Sequence, residues 1–191
     1  MSEYICTLTQ CIHSIPSIPV SLLPATATDL PELTQLVNSA YRGDSSRKGW
    51  TTEADLLGGI RTSEETLAET LAKPDATILL HREEATAALI GCVYLEKKGD
   101  LMYLGMLTVS PEIQARGLGK KLLQQGEDYA RTLGCQAVEM LVISQRVELI
   151  AWYERRGYAL TDETRPFPMD DPRFGEPKTA LAFVVMRKGL G

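Results

Sequence analysis

The feature that most constrains this chain is the uncharged run Leu101–Val109 (Leu-Met-Tyr-Leu-Gly-Met-Leu-Thr-Val), which leads through Ser110-Pro111 into a glycine-containing turn. Strict alternation puts Leu101, Tyr103, Leu107 and Val109 on one face and Met102, Leu104 and Met106 on the other. A strand that is apolar on both faces must be covered on both, so it belongs in the middle of a sheet with helices above and below. The remaining segments have to supply that cover.

They do so in a readable order. A strand is expected at Val20–Leu23, ending at Pro24. Asp29 can cap a helix with Pro31 and Glu32 in its first turn, and Leu33, Leu36, Val37 and Ala40 follow helical spacing. Arg42–Gly49 reads as a polar loop, and Ser63–Leu71 as a second helical patch closed by Pro74. Strands at Ala76–His81, Leu89–Leu95 and Leu101–Val109 are separated by Glu83–Glu84 and Lys97–Gly99, the pattern of antiparallel hairpins. A helix over Gly117–Leu133 carries Leu118, Leu122, Tyr129, Ala130 and Leu133 on one stripe, and Gly134 caps it. Gly126 within it costs about 1 kcal/mol relative to alanine, which points to close packing on the sheet. A strand at Ala137–Ile143, a helix at Glu148–Arg156 and a strand at Ala180–Met186 complete the order, with Thr164–Pro177 taken as a long loop. The fold expected is α/β: a mixed, mostly antiparallel central sheet with helices on both faces. One domain, 19–191, follows a tail, 1–18, that is disordered or partly docked.

Composition narrows the function. The 191 residues suffice for one substantial core. No run approaches the roughly 18 apolar residues of a membrane helix. The apolar N-terminus is preceded by Glu3 and broken by Gln10, His13, Pro16 and Pro19, unlike a signal peptide. A net charge of −5 disfavours nucleic acid, which needs clustered Lys and Arg, and is mildly compatible with a cationic amine. Four scattered cysteines (Cys6, Cys11, Cys92, Cys135) and two histidines (His13, His81) lack metal-ligand spacing, so no metal is expected, and a reducing, cytoplasmic setting is.

The turn itself is Ser110-Pro111-Glu112-Ile113-Gln114-Ala115-Arg116-Gly117-Leu118-Gly119-Lys120. A helix start presents unpaired N–H groups and about half a positive charge. Gly117 and Gly119 lack Cβ atoms, so a diphosphate can approach the backbone, while Arg116, Lys120 and Lys121 add positive charge. On these residues alone the alternative stands that the turn joins strand to helix and binds nothing. The third glycine of a dinucleotide fingerprint and the Gly-Lys-Ser/Thr of a P-loop are missing. The antiparallel order of the middle strands also weakens a Rossmann-like nucleotide enzyme.

Leu107-Thr108-Val109-Ser110-Pro111 followed by Gln114-Ala115-Arg116-Gly117-Leu118-Gly119 resembles the central motif of the GNAT superfamily, the acetyl-CoA-dependent N-acyltransferases. A second stretch, Glu148-Leu149-Ile150-Ala151-Trp152-Tyr153-Glu154-Arg155-Arg156-Gly157-Tyr158, resembles that superfamily's helix ending in Tyr-x-x-x-Gly-Phe/Tyr. The two together cover roughly Leu89–Tyr158. The resemblance implies acetyl-CoA as cosubstrate, held by Leu107, Thr108, Val109, Gln114, Ala115, Arg116, Gly117, Leu118, Gly119 and Lys120. It implies direct transfer of acetyl to a primary amine of a small molecule or peptide through a tetrahedral intermediate. Backbone N–H groups near Leu107–Val109 would polarise the thioester carbonyl. Tyr153 matches the position of a tyrosine that protonates the departing thiolate; packing between helix and sheet is the other reading of it.

Two departures stand out. Some members carry a glutamate base at the position of Tyr103, and no carboxylate lies between Leu101 and Ser110. Glu53 and Glu148 are the candidates left, each otherwise a solvated glutamate. Arg146 replaces a common asparagine; it either holds a substrate carboxylate or phosphate or pairs with Glu148. Tyr41-Arg42-Gly43-Asp44 and Gly49-Trp50-Thr51-Thr52-Glu53 fall where the fold lines its acceptor side, so Tyr41, Trp50, Glu53, Arg146 and Glu148 are the substrate-binding candidates; a loop merely anchored by Trp50 is the alternative. A non-catalytic acyl-CoA sensor is the competing function. Ala180–Met186, read as an exposed strand, offers an edge for a homodimer.

Overall fold

The computed structural model describes residues 22–114 and 117–191. In chain order they form β1 (Leu23–Pro24), α1 (Leu30–Tyr41), the one-turn α2 (Gly43–Ser46), β2 (Leu57–Gly58), α3 (Glu64–Leu71), β3 (Ala76–Arg82), β4 (Leu89–Lys98) and β5 (Leu101–Val109). There follow α4 (Leu118–Thr132), β6 (Ala137–Ile143), α5 (Val147–Glu154), β7 (Ala159–Pro166), β8 (Glu176–Pro177) and β9 (Ala182–Gly189). The helix starts follow local chemistry. Pro31 sits in the first turn of α1, and Ser63 Oγ accepts from the Thr66 N–H at 3.2 Å to cap α3.

Seven strands make one sheet in the order β1-β3-β4-β5-β6-β9-β7, with β2 and β8 pairing separately. The doubly apolar β5 takes the centre. Leu122, Leu123 and Ala130 of α4 cover one face, packing on Val93, Leu95, Met102, Leu104, Val138 and Met140. Leu33, Leu36 and Val37 of α1, with Leu67 of α3, cover the other against Ile78, Leu80, Cys92 and Tyr94. Gly126 earns its place in α4, since a Cβ there would stand 3.2 Å from Leu104 Cδ1 and 3.4 Å from Leu95 Cδ2. Among the described residues no helix is long and apolar enough to cross a membrane.

Every neighbouring pair in the large sheet is antiparallel except β5 and β6. Those two run parallel and stay paired only from Leu101↔Ala137 to Tyr103↔Glu139. Beyond Tyr103 they diverge, and the sheet opens. A bulge accompanies the opening: Cys92 faces Thr108 while Tyr94 faces Gly105, so β5 holds one residue more than β4, and Met106 takes φ +47°. Thr108 Oγ1 braces the bulge by donating to the Met106 carbonyl at 3.0 Å.

The bulge corrects the alternation expected from sequence. Leu107 and Val109 pack with the α4-side core of Met102 and Leu104, and Met106 packs with Tyr103 on the other side. One inserted residue reverses the parity that a straight strand would keep. A second correction concerns the C-terminal third. Ala159–Pro166 is a strand that takes in the first three residues of the loop expected at Thr164–Pro177; it is a charged, exposed edge, the composition by which edge strands avoid unwanted pairing and also the reason its end reads as loop. It covers β9, which pairs with β6 on its other side, so Ala180–Met186 presents no free edge for a dimer. Arg42–Gly49 contains α2. The tail 1–18, with Cys6, Cys11 and His13, lies outside the described residues, as do Val20 and Ser21 of the strand expected at Val20–Leu23, whose end falls in β1.

Candidate functional site

Two cavities flank the place where β5 leaves β6. The first, of about 350 Å³, lies between the end of β5, the start of α4 and one side of α5. Leu107, Thr108, Val109, Gln114, Gly117, Leu118, Gly119 and Lys120 all line it, so the expected donor-side residues come together. Ala115 and Arg116 lie outside the described residues. Gly117 is the residue before α4 and sits at φ +80°, a left-handed conformation in which a side chain is strained even though its Cβ would meet nothing within 4 Å. The open space and the unpaired N–H groups of a helix start fit a phosphate group closely approaching the backbone.

Gln114 has a further task. Its Nε2 donates to the Val109 carbonyl at 3.2 Å, and its Oε1 accepts from the Trp50 N–H at 2.9 Å. The loop carrying Trp50 is thereby tied across the mouth of the first cavity. The Trp50 ring stacks on Trp152 with centroids 6.3 Å apart, and the Arg156 guanidinium lies 3.5 Å from the Trp152 ring centroid.

The second cavity, of about 790 Å³, occupies the opening between β5 and β6 and is walled in part by Tyr94, Tyr103, Phe167 and Phe174. The two cavities meet at Tyr41, Leu107, Arg146, Leu149 and Tyr153. Tyr153 is 6 % exposed, and among the described residues its hydroxyl makes no hydrogen bond. Burial pushes its phenol well above the usual range, so it is a neutral donor at pH 7. Tyr41 donates to the Leu107 carbonyl at 3.0 Å, which fixes both at the junction; burial, ahead of the Glu53 charge, raises its pKa too.

Glu53 sits between two arginines. Its Oε2 accepts from Arg42 and its Oε1 from Arg146 at 2.9 Å, with Glu53 7 %, Arg42 6 % and Arg146 6 % exposed. Burial alone would raise its pKa, but Arg146, Arg61 and Arg42 outweigh it and hold the carboxyl below the usual range. Arg146 also donates to Thr51 Oγ1 at 2.7 Å, and Thr51 donates to Glu148 Oε1 at 2.8 Å. Arg146 therefore bonds Glu53; its Nε stands 4.0 Å from Glu148. Of the expected acceptor-side residues, Tyr41, Trp50 and Arg146 line the first cavity and Tyr41, Glu53 and Arg146 the second, whereas Glu148 is exposed and lines neither.

Trp152, Arg156 and Arg61 were not singled out by sequence. Trp152 and Arg156 lie inside the second motif, Trp152 on α5 and Arg156 just past its end, where it donates to the Trp152 carbonyl at 2.7 Å. Arg61 has no local signal: it is one arginine in a loop, brought to the cavity because Asn38 Oδ1 accepts from the Arg61 N–H at 2.6 Å and the Thr62 N–H at 3.1 Å.

Residues 30–158 match the family model described as "Acetyltransferase (GNAT) family". The chain is 28% identical over 102 residues to an IAA acetyltransferase of Azospirillum brasilense, covering 53% of this chain and 67% of that protein. It is 30% identical over 139 residues to a mycothiol acetyltransferase of Mycobacteroides abscessus, covering 70% of this chain and 44%, less than half, of that longer protein. In fold it is similar to the ribosomal-protein-S18-alanine N-acetyltransferase of Escherichia coli, with a TM-score of 0.66 at 16% identity over 90% of this chain and 94% of that one. A phosphinothricin acetyltransferase of Sinorhizobium meliloti, solved with acetyl-CoA, gives 0.65 at 20% identity over 90% and 88%.

Proposed function

The chain belongs to the acetyltransferase (GNAT) family, and from that premise we propose that it is an N-acetyltransferase moving acetyl from acetyl-CoA to a primary amine of a small molecule or peptide. The observation that carries the reading is the meeting of two cavities at Tyr41, Leu107, Arg146, Leu149 and Tyr153, because direct transfer needs donor and acceptor to enter from different sides and touch at one place. The first cavity is the donor side, with the Gly117–Lys120 helix start for the pyrophosphate. The second is the acceptor side.

Acetyl-CoA supplies the acetyl group as a thioester: a C–N bond forms, the C–S bond breaks, the amine gives up a proton and the thiolate takes one. Beyond Tyr103 the side of β5 that β6 has left has no strand partner, which makes backbone donors there available for the carbonyl oxygen as it gains charge. Tyr153 is the proton donor to the sulfur, supported by its place at the junction and its uncommitted hydroxyl. Glu53 is a poor base, since its two oxygens accept from arginines and its proton affinity is lowered; we assign it the positioning of Arg146. Glu148, hydrogen-bonded to Thr51, is the carboxylate at the rim through which a water-relayed proton can leave.

The test is thiol release from acetyl-CoA over a panel of polyamines, amino acids, aminoglycosides and peptides. Release that depends on an amine supports transfer. Tight acetyl-CoA binding without release on any amine would replace the enzyme by an acyl-CoA sensor.

A further inference from the structure

We infer that the acceptor carries an anionic group, a carboxylate in the simplest case, bound beside its amine by Arg61 together with Arg42 and Arg146. The inference rests on the transfer reading for the identity of the second cavity as the acceptor side, and on charge for the rest.

The chain as a whole is acidic, at −5, yet this cavity is not. Three guanidiniums, of Arg42, Arg61 and Arg146, surround one buried carboxylate, Glu53, at its inner end. Guanidiniums outnumber carboxylates there even if Glu148, half exposed at 4.0 Å from Arg146, is counted. Elsewhere in the cavity the charges are matched more closely: Arg165 and Arg187 share Glu139 and Glu163, and Lys73 and Lys98 share Glu96. Arg61 is the cavity cation without an ion pair among the described residues. Its guanidinium lies over the Tyr41 ring, 5.5 Å from the centroid, next to the junction of the cavities.

Two further observations point the same way. Arg42 and Arg146 are each 6 % exposed, and each keeps a buried Nε–H without a hydrogen-bond partner. Buried donors left unbonded cost stability, and excess positive charge in a partly closed cavity costs more. A carboxylate entering the cavity offsets that charge, and planar guanidinium forks are the residues suited to it. The Asn38 clasp holds the backbone that carries Arg61, so the placing of that backbone does not depend on Glu53. The amine of the same molecule then reaches the junction at Tyr153 and Leu107.

The experiment compares matched acceptors: L-phenylalanine, L-methionine and L-glutamine, each against its own carboxamide, with spermidine as the polycation. Thiol release is followed with acetyl-CoA, and calorimetry follows binding of the same amines to protein saturated with CoA, where no acetyl is present to react. Wild type is expected to favour the carboxylate of each pair by about 10-fold or more, as a charge-assisted contact requires. R61Q is expected to bring the two members level, and R61K to retain part of the preference. Carboxamides or spermidine binding and reacting as well as the carboxylates would overturn the inference, as would absence of carboxylate binding or an R61Q variant that weakens both members alike. The two readings fail separately. Spermidine acetylated with carboxylates ignored sinks the anion site and leaves transfer standing, whereas carboxylates bound selectively with no thiol release keeps the anion site and removes transfer.

Discussion

The two halves of the cleft are built by different means. The donor half is founded on one contiguous stretch of backbone, the end of β5, a left-handed glycine and a helix start within 107–120, and is closed by Trp50, Trp152 and Arg156. The acceptor half is made of side chains from distant places: Tyr41 and Arg42 at the end of α1, Glu53 and Arg61 in loops, Tyr103 on β5, Arg146 before α5, and Phe167 after β7. A backbone site tolerates most side-chain changes but not changes at its glycines. A side-chain site is the reverse, because each guanidinium depends on the others' partners.

The largest break should come from Glu53→Gln. It leaves the buried Arg42 and Arg146 without their carboxylate, a change expected to cost about 3–5 kcal/mol in denaturant unfolding. A loss below about 1 kcal/mol would mark the cluster as no more than a surface pair. The same group gives an acid limb. Its folded pKa is below the ordinary 4.5, so its contribution is present above that value and fades as pH falls through the folded pKa. Asp29 and Glu32, held low by Thr26, Leu89 and Arg82 against the effect of burial, add to the limb, so Glu53→Gln should flatten the acid slope without abolishing it.

Next in size, Tyr153→Phe is expected to lower kcat by about 100-fold with little change in the KM for acetyl-CoA. Unchanged kcat would remove the proton-donor role. On the backbone side, Gly117→Ala puts a Cβ at φ +80° and should cost about 1–2 kcal/mol in stability. It should raise the KM for acetyl-CoA while leaving the preference among acceptors alone. Gly119→Ala is the companion: its Cβ meets Trp152 and Val109 at 3.7 Å, ordinary contact, so only donor affinity should suffer.

The same division decides what sequence could tell. The donor stretch was legible because a strand end, a glycine turn and a helix stripe are local patterns, and Leu107, Thr108, Val109, Gln114 and the stretch from Gly117 to Lys120 line one cavity. Tyr153 was placed by the resemblance of its motif, since its helical stripe with Leu149 and Ile150 pointed only to packing, and it does line both cavities. The bulge at Met106 was not, because no residue type there betrays a positive φ, and the strand parity beyond it was misread in consequence. The β7 strand was hidden by the charges that protect an edge. Arg61 was hidden because its meaning is a long-range subtraction: it matters only once every other cation of the cavity has found a carboxylate. Net charge is uninformative for a related reason, since −5 averages a surface and says nothing of a cavity lined by Arg42, Arg61 and Arg146.

Gln114 ties the turn of the first cavity to the loop that runs from Trp50 to Glu53 of the second, and the smallest predicted effect is the most discriminating. Gln114→Ala removes the acceptor of the Trp50 N–H and the donor to the Val109 carbonyl. The loop then keeps its Thr51 bonds to Arg146 and Glu148, the Thr52–Ser46 hydroxyl bond and the Glu53 ion pairs. One lost neutral hydrogen bond of about 1 kcal/mol corresponds to roughly a fivefold change. If the halves are coupled through this side chain, acceptor KM should rise by that factor although Gln114 lies in the donor motif. The Trp50–Trp152 stack should loosen with it, visible as a change in tryptophan emission. If only the KM for acetyl-CoA moves, the side chain serves the donor alone and the halves are independent, each with its own encoding in the chain. Coupling would mean that donor binding at the turn sets the loop that closes on the acceptor, a dependence that a product-inhibition pattern with CoA should report as ordered addition, donor first.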